Sequence, residues 1–132
     1  MYKAILMMLL AVVSSSAMAG WVEVGVNEHI GATFYAETGT IRKFGNKVKM
    51  WVMYDYKTAH DVGEDFGKYM STKSHIEYDC KEAKVRVTSQ ARFSKNMGKG
   101  KRKVVTSINI NWYPVEPDTR DELLWKIACG KG

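Results

Sequence analysis

The 132-residue chain has two cysteines, Cys80 and Cys129, and two prolines, Pro114 and Pro117. Two cysteines this far apart lack the second pair that a structural zinc site needs, and they allow one intrachain disulfide. There are three histidines, His29, His60 and His75. No motif in the sequence brings two imidazoles together as a general acid and base, so they read as incidental rather than catalytic. The carboxylate-rich stretch His60-Asp61-Val62-Gly63-Glu64-Asp65 lacks the D-x-[DN]-x-[DN]-G spacing of a calcium loop and reads as a solvated acidic loop. No metal, no cofactor and no enzymatic activity are expected. Acidic residues are outnumbered by basic ones, 14 to 20, for a net charge of +6. Long apolar runs are also missing. The longest, Ala4 to Val13, has ten residues, half of the roughly 20 that a membrane-spanning helix requires.

That short run points to export. Met1-Tyr2-Lys3 is a positive start, Ser14-Ser15-Ser16 breaks the apolar core, and Ala17-Met18-Ala19 offers small residues where a signal peptidase reads them. Residues 1–19 are expected to be a signal peptide, and 20–132 a single domain. No cysteine follows the apolar run to accept a lipid. The protein is therefore expected in the periplasm or at the cell surface, not as a lipoprotein. An oxidising compartment favours a Cys80–Cys129 bridge, which in a small chain adds stability that a modest core cannot supply.

Two-residue alternation dominates the rest, the signature of half-buried strands. Trp21 to Val26 opens as a strand with Val22, Val24 and Val26 on one face. Thr33 to Ala36 is a short second strand, Thr38-Gly39-Thr40 a turn, and Ile41 to Phe44 leads into a Gly45-Asn46 turn. The clearest strand is Lys47 to Tyr56, with Val48, Met50, Val52, Tyr54 and Tyr56 on one side and Lys47, Lys49, Trp51, Met53 and Asp55 on the other. Lys57 to Met70 loses the period and reads as a loop. Ser71 to Asp79 and Ala83 to Phe93 resume it, the latter with Val85, Val87, Ser89, Ala91 and Phe93 on one side. Asn96 to Gly100 is a glycine-containing hairpin connection, and Lys103 to Asn111 the last long strand. The two prolines then end the sheet. Thr119 with Glu122 three residues on is a capping box, Leu123, Leu124, Ile127 and Ala128 make one helical face, and Gly130 stops it. The expectation is an α+β, mainly β fold: about six antiparallel strands and one C-terminal helix.

Two features carry binding potential. Lys99 to Lys103 (KGKRK) is the densest positive run, and Lys84, Arg86 and Arg92 extend it if the two strands pair. The candidate patch is Lys84, Arg86, Arg92, Lys99, Lys101, Arg102 and Lys103. Such runs hold polyanions, nucleic acid or heparin-like glycans, in a salt-sensitive way. The favoured reading of so short a run is a soluble hairpin tip that blunts aggregation. The second feature is aromatic. Trp51 and neighbouring tyrosines on the second sheet face suit a protein-binding surface, and a partly apolar face or free edge permits a homodimer. Glu77 and Asp79 share one strand face, and one or both are expected to pair with nearby Lys or Arg.

Taken in order, several short pieces resemble the bacterial surface-adhesin protein E family. They are Trp21-Val22-x-Val24-Gly25, Phe34-Tyr35, Thr40-Ile41, Val48-x-Met50-Trp51-x-Met53-x-Asp55-Tyr56, Glu77-x-Asp79-Cys80, Met97-Gly98-x-Gly100, Trp112-x-x-Val115-x-Pro117-x-Thr119 and Ala128-Cys129. The resemblance implies an antiparallel sheet with a C-terminal helix tied by Cys80–Cys129. It also implies a non-enzymatic protein that binds matrix proteins such as vitronectin and laminin. The adhesive members are lipid-anchored, which this chain's leader does not provide for. A periplasmic module docking a bacterial partner is the alternative, and a small secreted hydrolase or nuclease a more distant one.

Overall fold

The computed structural model describes residues 20–61 and 67–131. The expected signal peptide and residues 62–65 of the acidic stretch lie outside these residues. Seven strands and one α-helix are present among them, with a short 3₁₀ turn at Asn96–Gly98: β1 Trp21–Asn27, β2 Ala32–Phe44, β3 Lys47–Asp61, β4 Lys68–Asp79, β5 Lys84–Phe93, β6 Arg102–Val104, β7 Tyr113–Pro114 and α1 Arg120–Cys129. Each strand from β1 to β5 pairs antiparallel with the next, and β7 pairs with β5 further along the edge that β6 uses. The mainly β fold with one C-terminal helix is as expected, and so is the disulfide between Cys80 and Cys129.

One sheet face, the inner face, carries α1. The alternation of β3 sets it: Val48, Met50 and Val52 are fully buried and stand beside Tyr78, Ile76 and Ser74 of β4. Leu124 and Ala128 of α1 close this core together with Ala36 and Val85. A second cluster, Ala32, Phe34, Tyr56 and Tyr69, fills the far end of the same face. Thr119 caps the helix, its Oγ1 accepting the Glu122 N–H at 3.2 Å, while the Glu122 carboxylate accepts the Asp118 N–H at 3.2 Å. Gly130 closes it in a left-handed conformation (φ 69°). Leu123 departs from the expected apolar face. It is 51% exposed, and Trp125 takes its place by packing on the core and donating its indole N–H to the Asp79 carbonyl at 3.0 Å.

Bulges account for most other departures. β2 is one strand, not two with a turn between them. Its register with β3 shifts between Glu37 and Arg42, and the Thr40 hydroxyl bridges the gap, donating to the Glu37 carbonyl (2.6 Å) and accepting the Trp51 N–H (3.0 Å). A side chain thus replaces the lost ladder bond. In β1 a shift between Glu23 and Gly25 puts Val22 opposite Ala36 and Val26 opposite Thr33, on different faces, so the three valines do not share one. The expected loop Lys57–Met70 is shorter: Lys57–Asp61 and Lys68–Met70 belong to β3 and β4, held by packing of Tyr56, His60 and Tyr69. The last long strand shrinks to Arg102–Val104. After the Val105 N–H reaches the Gln90 carbonyl (2.9 Å) the chain leaves the ladder. The adjoining edge of β5 is distorted there by a bulge at Thr88.

Burial pushes the Tyr54 hydroxyl up to about 12, against the opposing pull of Arg120, and raises that of Tyr78 well above the ordinary tyrosine value. A pKa raised in the folded state gives stability that is complete below the unfolded value of about 10 and is lost as pH climbs through the folded one. The urea midpoint is therefore expected to fall between pH 10 and pH 12. Tyr54→Phe should flatten that fall; an unchanged slope in the variant would remove Tyr54 from the account.

Candidate functional site

The face opposite the helix, the outer face, gathers side chains from six strands. β3 contributes Lys47, Lys49, Trp51, Met53 and Asp55, and β4 contributes Asp79, Glu77, His75, Lys73 and Ser71 directly opposite. Trp51 and His75 are register partners and their rings stack, centroids 4.6 Å apart and 6° from parallel. Burial lowers the His75 pKa, helped by Lys49 and opposed by Glu77. The imidazole that backs the indole is thus held toward its neutral form.

On one side of this pair, the Glu77 carboxylate accepts from Arg86 Nε at 2.8 Å and Nη2 at 2.7 Å, and the Arg86 guanidinium lies 4.6 Å from the Trp112 ring centroid. Lys47 approaches the same indole at 5.9 Å and Asp79 at 3.9 Å. The two carboxylates of the Glu77-x-Asp79 pair therefore bond to basic neighbours, as expected. Asp79 also accepts the Lys81 and Glu82 N–H groups (3.0 and 2.8 Å), and its pKa is lowered chiefly by the Glu82 bond. It shapes the turn that presents Cys80.

On the other side, Lys73 reaches between two rings, its ammonium 5.5 Å from Trp21 and 5.3 Å from Phe93. Trp21 stands on β1 and Lys73 on β4, so the sheet curls enough to bring distant strands together. Between them lies a hollow of about 340 Å³, lined by Trp21, Glu37, Trp51, Lys73, Ala91, Phe93 and Arg102.

The β5–β6 hairpin folds over the edge of this hollow and is anchored there. Asp55 accepts from Asn96 Nδ2 (3.0 Å) and from the Met97 N–H (2.7 Å). The Ser71 hydroxyl donates to the Lys95 carbonyl (2.6 Å) and accepts the Gly98 N–H (2.9 Å). Gly98 has φ 71°, the left-handed region that favours glycine, and a Cβ there would push the end of the flexible Lys73 side chain aside. Asp55→Ala is expected to cost about 2 kcal/mol, the scale of hydrogen bonds to a charged group. Amide exchange at Met97 and Gly98 should accelerate, and protection equal to wild type would show that Asp55 does not anchor the hairpin.

The expected basic patch is divided. His75 pairs with Ser89 but Ile76 with Val87, which leaves Thr88 as the extra residue of a bulge. Side chains beyond it change face. Lys84 and Arg86 lie on the outer face. Arg92 stands opposite Thr72 on the inner side, 5.1 Å from the Tyr69 ring, with Lys103 as its register partner. Ala91 and Phe93 are outer, not in line with Val85 and Val87. Of the hairpin cations, Arg102 lines the hollow, while Lys99 and Lys101 stand exposed on its arms. Trp51 is where the alternation puts it. Sequence reasoning missed Trp21, Lys73 and Phe93 as its companions. The histidines stay apart: His29 in the β1–β2 turn, His60 beside Tyr56 and Tyr69, His75 on Trp51. Among the described residues no group of three or more His, Cys, Asp or Glu could hold a metal ion, and no helix is long and apolar enough to cross a membrane.

Residues 21–130 match the profile of the family described as surface-adhesin protein E. The chain belongs to that family. The adhesin E match spans every strand and the helix, so the outer face lies wholly within it. No curated protein matches the chain. Among solved structures it resembles protein E of Haemophilus influenzae. One structure has a TM-score of 0.68 at 15% identity, covering 84% of this chain and 84% of that one. A second crystal form gives 0.67 at 14%, covering 84% and 87%. Protein E from non-typeable H. influenzae gives 0.66 at 14%, covering 84% and 76%. At these identities the likeness establishes the adhesin E fold.

Proposed function

We propose that this adhesin E family member is an exported, non-catalytic binding protein whose outer sheet face engages a host protein. Matrix proteins such as vitronectin and laminin are the ligands that the family resemblance implies. The observation carrying this reading is the Trp51–His75 stack on a sheet face that the helix leaves uncovered, flanked by the Arg86–Trp112 and Lys73–Trp21 contacts. Aromatic and arginine side chains of this kind dominate protein interfaces. Catalysis is not part of the proposal, because the three histidines serve three separate neighbourhoods.

The test is surface binding of the protein to vitronectin, laminin, heparin and duplex DNA, each at low and high salt. Saturable binding to a matrix protein that survives salt is expected. Trp51→Ala should weaken it at least about tenfold, as loss of an interface anchor does. Binding that collapses with salt on every polyanion would reduce the partner to nonspecific charge. Silence on every surface would overturn the adhesive reading and leave a bacterial partner in its place.

A further inference from the structure

The hollow beside Trp51 has a chemistry more specific than a general protein-docking face. Its volume, about 340 Å³, is at the small end of ligand sites and suits one ring-sized unit rather than a helix or strand. Its composition is mixed. The Trp51 indole is held rigid from behind by His75, which is not among the lining residues. Two cations line the hollow: Lys73, fixed by the Trp21 and Phe93 rings, and Arg102, brought in by the anchored hairpin. Neither is in an ion pair among the described residues. Glu37, on the strand next to Trp51, adds a carboxylate acceptor.

We propose that this hollow binds an acidic pyranose, the sugar ring lying on the Trp51 indole, its carboxylate or sulfate on Lys73 and Arg102, and its hydroxyls donating to Glu37. A rigid indole offers a flat apolar platform for the C–H face of a sugar ring. Arg and Lys supply charge-assisted bonds to an anionic substituent. An uncharged sugar leaves both cations unpaired. A nucleic acid strand fits less well, because a phosphate backbone gains nothing from Glu37. The inference rests on the outer face being the ligand face, and it identifies the unit recognised there as the acidic sugar of a host glycoconjugate.

The experiment titrates the protein with a tetrasaccharide alternating glucuronic acid and N-acetylglucosamine, and with a neutral N-acetylglucosamine tetrasaccharide, by calorimetry and tryptophan fluorescence. The acidic probe is expected to bind saturably, at least about tenfold more tightly than the neutral one. Trp51→Ala and, separately, Arg102→Gln should each weaken it by about tenfold or more. Arg102 is exposed, so its variant tests the site without burdening the fold. Lys99→Gln with Lys101→Gln should change it less than about twofold, being outside the hollow. Equal affinity for the neutral probe, retention in both site variants, loss with the hairpin lysines, or no binding at all would each overturn the inference. If a matrix protein binds while the free acidic probe does not, the inference fails and the proposed function stands. If the probe binds while every matrix protein is silent, the reverse holds.

Discussion

Replacing Cys80 and Cys129 together by serine is expected to lower the free energy of unfolding by about 4 kcal/mol, the chain-entropy value for a bridge spanning 49 residues. For a domain of this size that corresponds to roughly 15 °C in melting temperature. Location makes the full effect credible. Helix α1 has ten residues, too few to persist alone in water, so everything that keeps it helical is tertiary. The disulfide fixes its last turn to the end of β4. That anchor point is itself well held, by the Cys80 N–H to the Asn46 carbonyl at 2.8 Å and by the Trp125 indole on the Asp79 carbonyl. Urea unfolding of the oxidised protein and the double variant measures the difference. A loss below about 1 kcal/mol would mean that the core contacts of α1 alone keep the segment docked and that the unfolded chain is little constrained by the bridge.

Much of this architecture was legible because it is local. Ten residues of alternation in β3 assign the inner and outer faces. The Gly45-Asn46 turn, the Thr119 cap with Gly130 as stop, and the two cysteines follow from residue types at short spacing. The illegible parts are those where one residue changes the count. Thr88 looks like any outward polar residue of a strand, yet as a bulge it sends Arg92 to the inner side and Ala91 and Phe93 to the outer. Thr40 sits in a Thr-Gly-Thr triplet that carries every local sign of a turn. It instead uses its hydroxyl to carry β2 past a register shift. The hollow was out of reach for a different reason. Trp21, Trp51, Lys73 and Phe93 come from four strands, and only the curl of the sheet brings them together.

Leu124→Ala is the second large effect expected, a loss of about 3 kcal/mol. Leu124 is completely buried, and it packs with Tyr78, Val48 and Val52 at the centre of the inner core. Its removal leaves a cavity under a helix whose C-terminal end the disulfide ties to the sheet. The outcome depends on that tether. With the disulfide intact, α1 cannot leave the sheet, and the variant carries the cost of the unfilled space. In the Cys80→Ser, Cys129→Ser background the same segment is free to detach, so Leu124→Ala should cost distinctly less there. Residues holding one element are not additive, and a triple variant measured by urea unfolding reads the coupling directly. Equal costs in both backgrounds would show that α1 stays docked without its bridge. The outer face supplies an internal control, because Trp51 and Lys73 lie across the sheet from the cavity. While the Leu124 variant remains folded, its ligand binding should match wild type. Weakened binding at full occupancy of the folded state would show that the sheet transmits the strain, and that the two faces are less independent than their separate contacts imply.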